Sequence, residues 1–466
     1  MGSPLLRVFQ SLKKQLYRNQ KFICKKTKAE ENMKRKHLIT LILGLMIAGV
    51  LQAQEKLSLD LEAAKRHALE HNRTIISAGY TVDQSQEQIW EAIAAGLPHI
   101  EANADYSNAM GASISIQFDE NAPPTEIPIK PSSNFNLQVS QLLFNGGYIV
   151  GVQSAKLAQR LSEKSKQKTE LEVISQVIEG YQLVLISRES LDILNNNMEN
   201  LQEIYEKTEP LVRVGMMEKV ELDQLSVQVN SLTNAVRSAE RQLVLATNLL
   251  RVQLGVSADT ELELTENLSD LIKAELQNGI IEDFDLEQNI DYQLTELQVE
   301  LTEKQVDLQK ANYLPTLSSF YNYTYKILKP AFDMSPPHIV GLQLNIPIFS
   351  SGERRSRVRQ AKIDLDVAEN NKALLEEQLE IQFRQLQFNM KNAIENYETQ
   401  EKNVQVSRDV YLNLRRKYEQ GMISSLELST ADSNYLQAES EYLTSMLEVL
   451  QSQNALNTLV GKILNN

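Results

Sequence analysis

One cysteine, few glycines, few prolines and a shortage of positive charge each remove a class of explanation. Cys24 is the only cysteine in 466 residues, and it lies ahead of a secretory signal pattern. In KRKHLITLILGLMIAGVLQA, residues 34–53, a basic cluster (Lys34, Arg35, Lys36) precedes an apolar stretch that ends near Ala53 and is too short for a comfortable transmembrane span. Cleavage is expected after Ala53; an uncleaved anchor helix is the other reading of this stretch. Met33 stands just before the basic cluster, so residues 1–32 read as an upstream extension. The processed chain would then have no thiol, hence no disulfide, no Cys nucleophile, no Cys-ligated zinc and no lipid-bearing cysteine at its new N-terminus. The 17 glycines and 12 prolines are sparse in a chain that is 42% hydrophobic, a bias toward long helices. Residues 1–53 hold 11 of the 47 Lys and Arg and 2 of the 61 Asp and Glu, which leaves 36 basic and 59 acidic residues and a net charge of −23. That balance excludes a general electrostatic attraction to nucleic acid.

Signatures of catalysis are missing as well. The five histidines are His37, His67, His71, His99 and His338. His67 and His71 could share a helix face, but Ala68, Leu69 and Glu70 between them do not make the zinc-protease arrangement, and surface histidines are the plainer reading. There is no G-x-S-x-G elbow and no P-loop. No catalytic, cofactor-binding or metal-ligating residue is nominated, and no enzyme is expected.

What the chain does have is a repeat. GLPHIEANADY (96–106) matches YLPTLSSFYNY (313–323) at the Leu-Pro. LFNGG matches IFSSG, with Phe144 three residues before Gly147 and Phe349 three before Gly352. VGMMEKVELDQL (214–225) matches QGMISSLELSTA (420–431) at Gly-Met and Glu-Leu. The spacings agree better than the letters: Gly147 to Gly215 is 68 residues and Gly352 to Gly421 is 69, Gly215 to Gly255 and Gly421 to Gly461 are both 40, and Asn72 to Pro98 and Asn289 to Pro315 are both 26. Only Pro to Phe differs, 46 residues against 34. Two tandem units follow, 54–255 and 286–466, joined by a connecting segment at 256–285.

Each unit holds a helix before its strands (about 57–95; about 286–311), a long helix (about 149–211; about 354–418), a turn (212–220; 418–426) and a last helix (about 218–253; about 424–460). On the second long helix Leu375, Leu379, Phe383, Leu386, Met390, Ile394 and Tyr397 form one apolar seam and Leu374, Ile381 and Phe388 a second, so the helix is expected to pack between two neighbours. A globular bundle core would also produce seams, but about 65 residues at 1.5 Å each reach roughly 100 Å, far beyond an ordinary domain helix. The outer helices, stacked end to end, would match the long one.

Between Pro98 and Phe144, and between Pro315 and Phe349, the period becomes two. Ile100, Ala102, Ala104 and Tyr106 alternate with polar residues, as do Phe135, Leu137 and Val139, then Tyr321, Tyr323 and Tyr325, then Leu342, Leu344, Ile346 and Ile348. These are strands with one apolar and one hydrophilic face, in hairpins at 99–145 and 316–349. Their length suits a tilted membrane strand, although a soluble sheet over a helix layer would show the same alternation. Four strands cannot close a membrane barrel, and open edges in lipid leave backbone groups unsatisfied, so strands that enter a membrane require an oligomer. The Pro-rich loops FDENAPPTEIPIKP and KPAFDMSPP suit exposed outer tips.

On these landmarks RRKYEQGMISSLELSTADSNYLQAESEYL (415–443) resembles the periplasmic helix–turn–helix of TolC-like outer membrane factors. Tyr418, Glu419, Gly421, Ser424, Leu426, Glu427 and Leu428 fit that family's pattern. The first half keeps Gly215, Val220, Glu221 and Leu222 but has Leu211 or Val212 where an aromatic is usual. The likeness extends over about 55–461. It implies a mainly α protein with a β-barrel part: a homotrimer of a Gram-negative outer membrane, in which four strands per protomer make a 12-stranded barrel in outer membrane lipid and the helices make a hollow periplasmic barrel. It implies a passive exit duct that receives cargo from an inner membrane RND, ABC or MFS transporter through a periplasmic adaptor. By position, the constriction role passes to Glu427, Glu221 and Tyr418, with Thr430 and Gln224 standing where a second acid is common. Adaptor docking passes to the turns at Gly215, Met216, Gly421, Met422 and Ser424, and the strand-to-helix joints to Phe144, Gly146, Gly147, Phe349 and Gly352. For Glu221 and Glu427 a plainer role stays open, that of acids favoured by a helix N-terminal dipole. A soluble periplasmic coiled-coil scaffold or adaptor also stays open, as does a helical hydrolase.

Overall fold

The computed structural model describes residues 56–117, 124–329 and 335–462. The signal stretch, Cys24 and residues 1–32 lie outside the described residues, as do parts of the two Pro-rich loops, 118–123 and 330–334. In chain order the elements are β1 (Lys56–Leu59), α1 (Leu61–His71), α2 (Arg73–Ala94), β2 (His99–Ser107), β3 (Ser113–Ile116), β4 (Thr125–Pro128), β5 (Ser132–Phe144), α3 (Gly146–Arg213), α4 (Lys219–Leu254), β6 (Glu261–Leu264), α5 (Leu268–Asn278), α6 (Ile290–Ala311), β7 (Thr316–Lys326), β8 (His338–Asn345), α7 (Glu353–Glu419) and α8 (Ser425–Leu459). They fall into two units. The described part of the smaller is 56–58 with Asp259–Glu263, built on the two-stranded β1–β6 sheet, where Lys56 Nζ lies 3.2 Å from Glu263. The larger, Leu59–Ala258 with Leu264 onward, holds the rest.

The helices of the larger unit are as long as the glycine spacings imply. α3 has 68 residues and α7 has 67, each roughly 100 Å at 1.5 Å per residue. α3 packs against α2, α4, α6 and α8, and α7 against α6 and α8. Of the two seams expected on α7, only one is covered. Leu379 and Phe383 sit in a core with Leu456, Leu459 and Val460, each worth ~1.5–3 kcal/mol once fully buried. Ile381 and Phe388 of the other seam remain 68% and 65% exposed, so that seam finds no partner within the described residues.

The helices expected to run unbroken over 57–95 and 286–311 are interrupted, and the same residue type interrupts both. The Asn72 side chain accepts from the amides of Thr74 and Ile75 and so starts α2. Its Nδ2 donates to the Gln253 carbonyl at 2.7 Å, near the end of α4. Asn289 repeats the device: it caps α6 through Asp291 and Tyr292 and donates to the Leu459 carbonyl at 2.9 Å, at the end of α8, after a short 3₁₀ turn at Leu286–Gln288. Each buried Asn thus satisfies donors at one helix start and an acceptor at another helix end. The paired 26-residue spacings in the sequence mark two copies of one end-to-end joint.

The strands form a four-stranded antiparallel sheet in the order β2-β5-β7-β8. Its register places Ala102, Leu137, Tyr323 and His338 in one cross-strand row and Ile100, Val139, Tyr321 and Val340 in the next. The opposite face carries Asn103, Asn136 and Thr324, with Asp105 and Asn134 in the next row. Hydrogen bonds tie these polar residues: Asn136 Nδ2 donates to Asn103 and Asp105 at 3.0 Å each, Asn134 donates to Asp105 at 3.0 Å, and Thr324 donates to Asn136 at 2.9 Å. Two details differ from expectation. A small extra hairpin, β3–β4, is inserted between β2 and β5. β8 ends at Asn345 rather than running through Ile348, because Pro347 cannot donate to a ladder.

Candidate functional site: the paired turns

α3 and α7 end in the same way. Gly215 and Gly421 adopt φ of +78° and +70°, the left-handed region in which a side chain is strained. The amides of Met216 and Met422 then reach back to the carbonyls of Leu211 and Lys417 at 2.8 and 2.9 Å, closing Schellman-type ends. The starts of the next helices differ. Ser424 caps α8 by accepting from the Glu427 amide, and Glu427 sits in the first turn, where the dipole favours it. At the equivalent position of α4, Glu218 makes no side-chain cap bond.

A groove of about 850 Å³ opens between the two turns, lined by Thr208, Met216, Glu221, Tyr418, Gly421 and Met422 among others. Tyr418 Oη lies 2.6 Å from Thr208 Oγ1, which itself donates to the Ile204 carbonyl; partial burial pushes the Tyr418 hydroxyl pKa up. Glu221 Oε2 accepts from the Ser425 amide at 3.3 Å, so this first-half carboxylate helps set the second-half turn. Glu427 and Thr430 line a different depression of about 560 Å³ with Val406, Val410, Leu414 and Leu426. Gln224 is exposed and lines neither. The expected constriction residues therefore divide: Glu221 and Tyr418 with Gly421 and the two methionines, Glu427 and Thr430 apart from them.

Residues that sequence reasoning does not nominate hold the two halves together beside the groove. Arg415 on α7 pairs with Glu203 on α3 at 2.7 Å, reaches Asn200 at 3.1 Å and lies 3.6 Å from Glu419; Lys207 pairs with Glu203 at 2.6 Å. The hydrogen bond from Lys207, and then the charge of Arg415, hold the Glu203 carboxyl below its usual value. The spacings Glu203/Lys207 and Arg415/Glu419 are legible as i,i+4 pairs, but the link between helices is tertiary. Further along, the end of the Asn197 side-chain amide lies 3.1 Å from both carboxyl oxygens of Asp432 on α8. Burial pushes the Asp432 carboxyl up to about 7, with Glu439 adding to the rise and Arg415 opposing it. Such a group stays protonated in the fold at a pH where the unfolded chain has already ionised. Its contribution to stability is therefore lost as pH rises from about 4 toward 7. Asp432→Asn should flatten that part of a stability-versus-pH curve measured by thermal unfolding, and an unchanged slope would remove Asp432 as its source.

The two strand-to-helix joints share a motif but not a mechanism. At the first, Asn145 caps α3 by accepting from the Tyr148 amide, and Gly146 and Gly147 are ordinary helical residues. Gly146 is needed for space, since a Cβ there would stand 2.5 Å from Leu314 Cδ1 and 3.2 Å from the Ala311 carbonyl oxygen. Gly146 and Gly147 therefore do not serve this bend by a positive φ. At the second joint, Ser351 and Gly352 have φ of +50° and +84° with open space around Gly352, so conformation is the requirement there. Phe144 and Phe349 are both exposed, at 39% and 84%.

The comparisons with known proteins agree with this architecture. A family profile described as outer membrane efflux protein matches residues 65–256 and 285–462. Among curated proteins, the chain is 22% identical over 314 residues to the probable efflux pump outer membrane protein TtgC and to the antibiotic efflux pump outer membrane protein ArpC, both of Pseudomonas putida. That match takes in 64% of this chain and 62% of theirs, so it spans less than two thirds of those relatives. Among solved structures, the outer membrane channel CmeC of Campylobacter jejuni aligns with a TM-score of 0.69 at 18% identity, covering 86% of this chain and 85% of that one. The outer membrane protein VceC of Vibrio cholerae aligns at 0.67 and 15%, covering 86% and 96%.

Proposed function

The chain belongs to the outer membrane efflux protein family, and from that premise we propose that it is the outer membrane exit duct of a tripartite efflux or type I secretion system. In this reading it passively conducts substrate delivered by a periplasmic adaptor and an inner membrane transporter, of RND, ABC or MFS type. The observation that carries the reading is the four-stranded sheet with two open edges. Among the described residues β2 and β8 each lack a neighbour on one side. In lipid those unpaired amides and carbonyls would each cost several kcal/mol, and pairing β8 of one copy with β2 of the next removes the cost. Three copies give a twelve-stranded barrel with the apolar rows outward and the Asn-rich rows lining a wet lumen. The uncovered seam at Ile381 and Phe388 supports the same assembly, since another copy's helices would bury it. No catalytic role is assigned.

Within the duct, the paired turns form the periplasmic mouth, and three copies of Glu427 there would attract cations. Glu427→Gln should weaken block by divalent cations in planar bilayers several-fold. Glu221→Gln should act mainly through the turn that its bond to Ser425 supports. Equal block in wild type and Glu427→Gln would remove the acid from the constriction. The duct itself is tested by fractionation and detergent: release from outer membranes by carbonate, or a monomer in mild detergent, would sink the reading.

A further inference from the structure

The two long helices begin with opposite chemistry. Counting from each helix start, positions 148–155 of α3 carry no charge, whereas the matching 355–362 of α7 carry Arg355, Arg357, Arg359 and Lys362 and no acid. The fold does not require these cations, because its own duplicate begins without them. A helix N-terminus also disfavours positive charge. Two neighbouring arginines are already engaged: Arg354 donates to the Pro347 carbonyl at 2.7 Å and lies 5.4 Å over the Tyr313 ring, and Arg357 pairs with Glu353 at 2.5 Å. Arg355, Arg359 and Lys362 are exposed, and their spacing of i, i+4 and i+7 puts them on one helix face.

The place of this face gives its meaning. Immediately before it, in the segment that follows the end of β8, Ile346, Ile348 and Phe349 are 56%, 91% and 84% exposed. From Arg355 to Lys362 the helix rises about 10 Å, comparable with one headgroup layer of a bilayer. Beyond it the sign reverses, with Asp364, Asp366 and Glu369.

We propose that Arg355, Arg359 and Lys362 bind the phosphate groups of anionic phospholipids in the periplasm-facing leaflet, a site set by the apolar residues just above it. The proposal rests on the outer membrane reading. Guanidinium groups bind phosphate through paired hydrogen bonds and lysine through a point charge, and basic residues next to an apolar membrane segment are a general means of selecting anionic lipid.

The test uses the full chain reconstituted in phosphatidylcholine vesicles, alone or doped with phosphatidylglycerol, with co-purified lipid quantified after detergent extraction. Wild type should retain phosphatidylglycerol roughly tenfold over its share of the vesicle, more weakly at high salt. The variant combining Arg355→Gln, Arg359→Gln and Lys362→Gln should lose the enrichment, while Arg355→Lys with Arg359→Lys should keep most of it. Carbonate-resistant insertion of the triple variant with equal enrichment would overturn the lipid site and leave the duct standing. Inorganic phosphate that displaces the retained lipid at low concentration would mark a simple anion site and overturn the assignment to lipid. Wild type that washes out of the vesicles would overturn both readings.

Discussion

Gly255→Ala is expected to destabilise the protein far more than the same change at Gly461, although the two glycines end equivalent helices forty residues after equivalent turns. Both are left-handed, with φ of +73° and +72°, so each substitution carries a conformational cost of roughly 1–2 kcal/mol. Their surroundings separate them. A Cβ on Gly255 would stand 2.2 Å from the His71 carbonyl oxygen, 2.7 Å from its carbon and 3.1 Å from the Asn72 nitrogen. All three are backbone atoms, held by the Asn72 joint, and none can rotate away. A Cβ on Gly461 meets only the Gln288 carbonyl oxygen, at 3.3 Å. Gly255→Ala should therefore cost more than about 4 kcal/mol, the range reserved for a few severe mechanisms, and Gly461→Ala about 1–2 kcal/mol. Thermal unfolding in detergent, followed by circular dichroism, checks the difference. Midpoints for the two variants that agree within error would show that the contact between the ends of α4 and α1 yields easily, and the joint would not be the rigid element described.

That asymmetry also marks how far the sequence could be read. The glycine spacings revealed the repeat and the helix lengths, because a left-handed glycine is one of the few positions where backbone conformation writes directly into residue choice. Strand faces were legible for the same reason, a period of two set against a period of 3.6. Asn72 and Asn289 were visible as landmarks but not as caps, since an Asn inside an amphipathic pattern reads equally well as a solvated helical residue. The Phe-x-x-Gly motif was seen twice and assigned one purpose, whereas Gly146 is small because Leu314 lies against it and Gly352 is small because its φ is positive. Neighbours supplied by another part of the chain carry no local signature. That is also why nothing in the sequence singles out Arg415, Glu203 and Asp432, while Tyr418 and Glu221 are nominated by resemblance alone.

Leu342→Arg is expected to abolish stable insertion, while Gln343→Arg one residue along should be tolerated. Leu342 lies mid-strand in β8, opposite Ser319, on the face that carries Val340 and Leu344, and is 71% exposed in the single chain. Gln343 pairs with Ser318 on the polar face. If the apolar rows meet lipid, an arginine near the bilayer midplane costs roughly 2–4 kcal/mol per copy, or ~6–12 kcal/mol in a trimer. The same side chain on the other face projects into water and costs little. A soluble sheet over a helix layer predicts a different outcome, because neither position would then be closed to a long flexible cation able to reach solvent. The measurement is the amount of trimer in carbonate-washed outer membranes for each variant. Comparable trimer in both would show that the apolar face does not meet hydrocarbon, and the barrel assignment would go with it. Loss confined to Leu342→Arg would fix which face of β8 meets lipid, the face that also carries Val340 and Leu344.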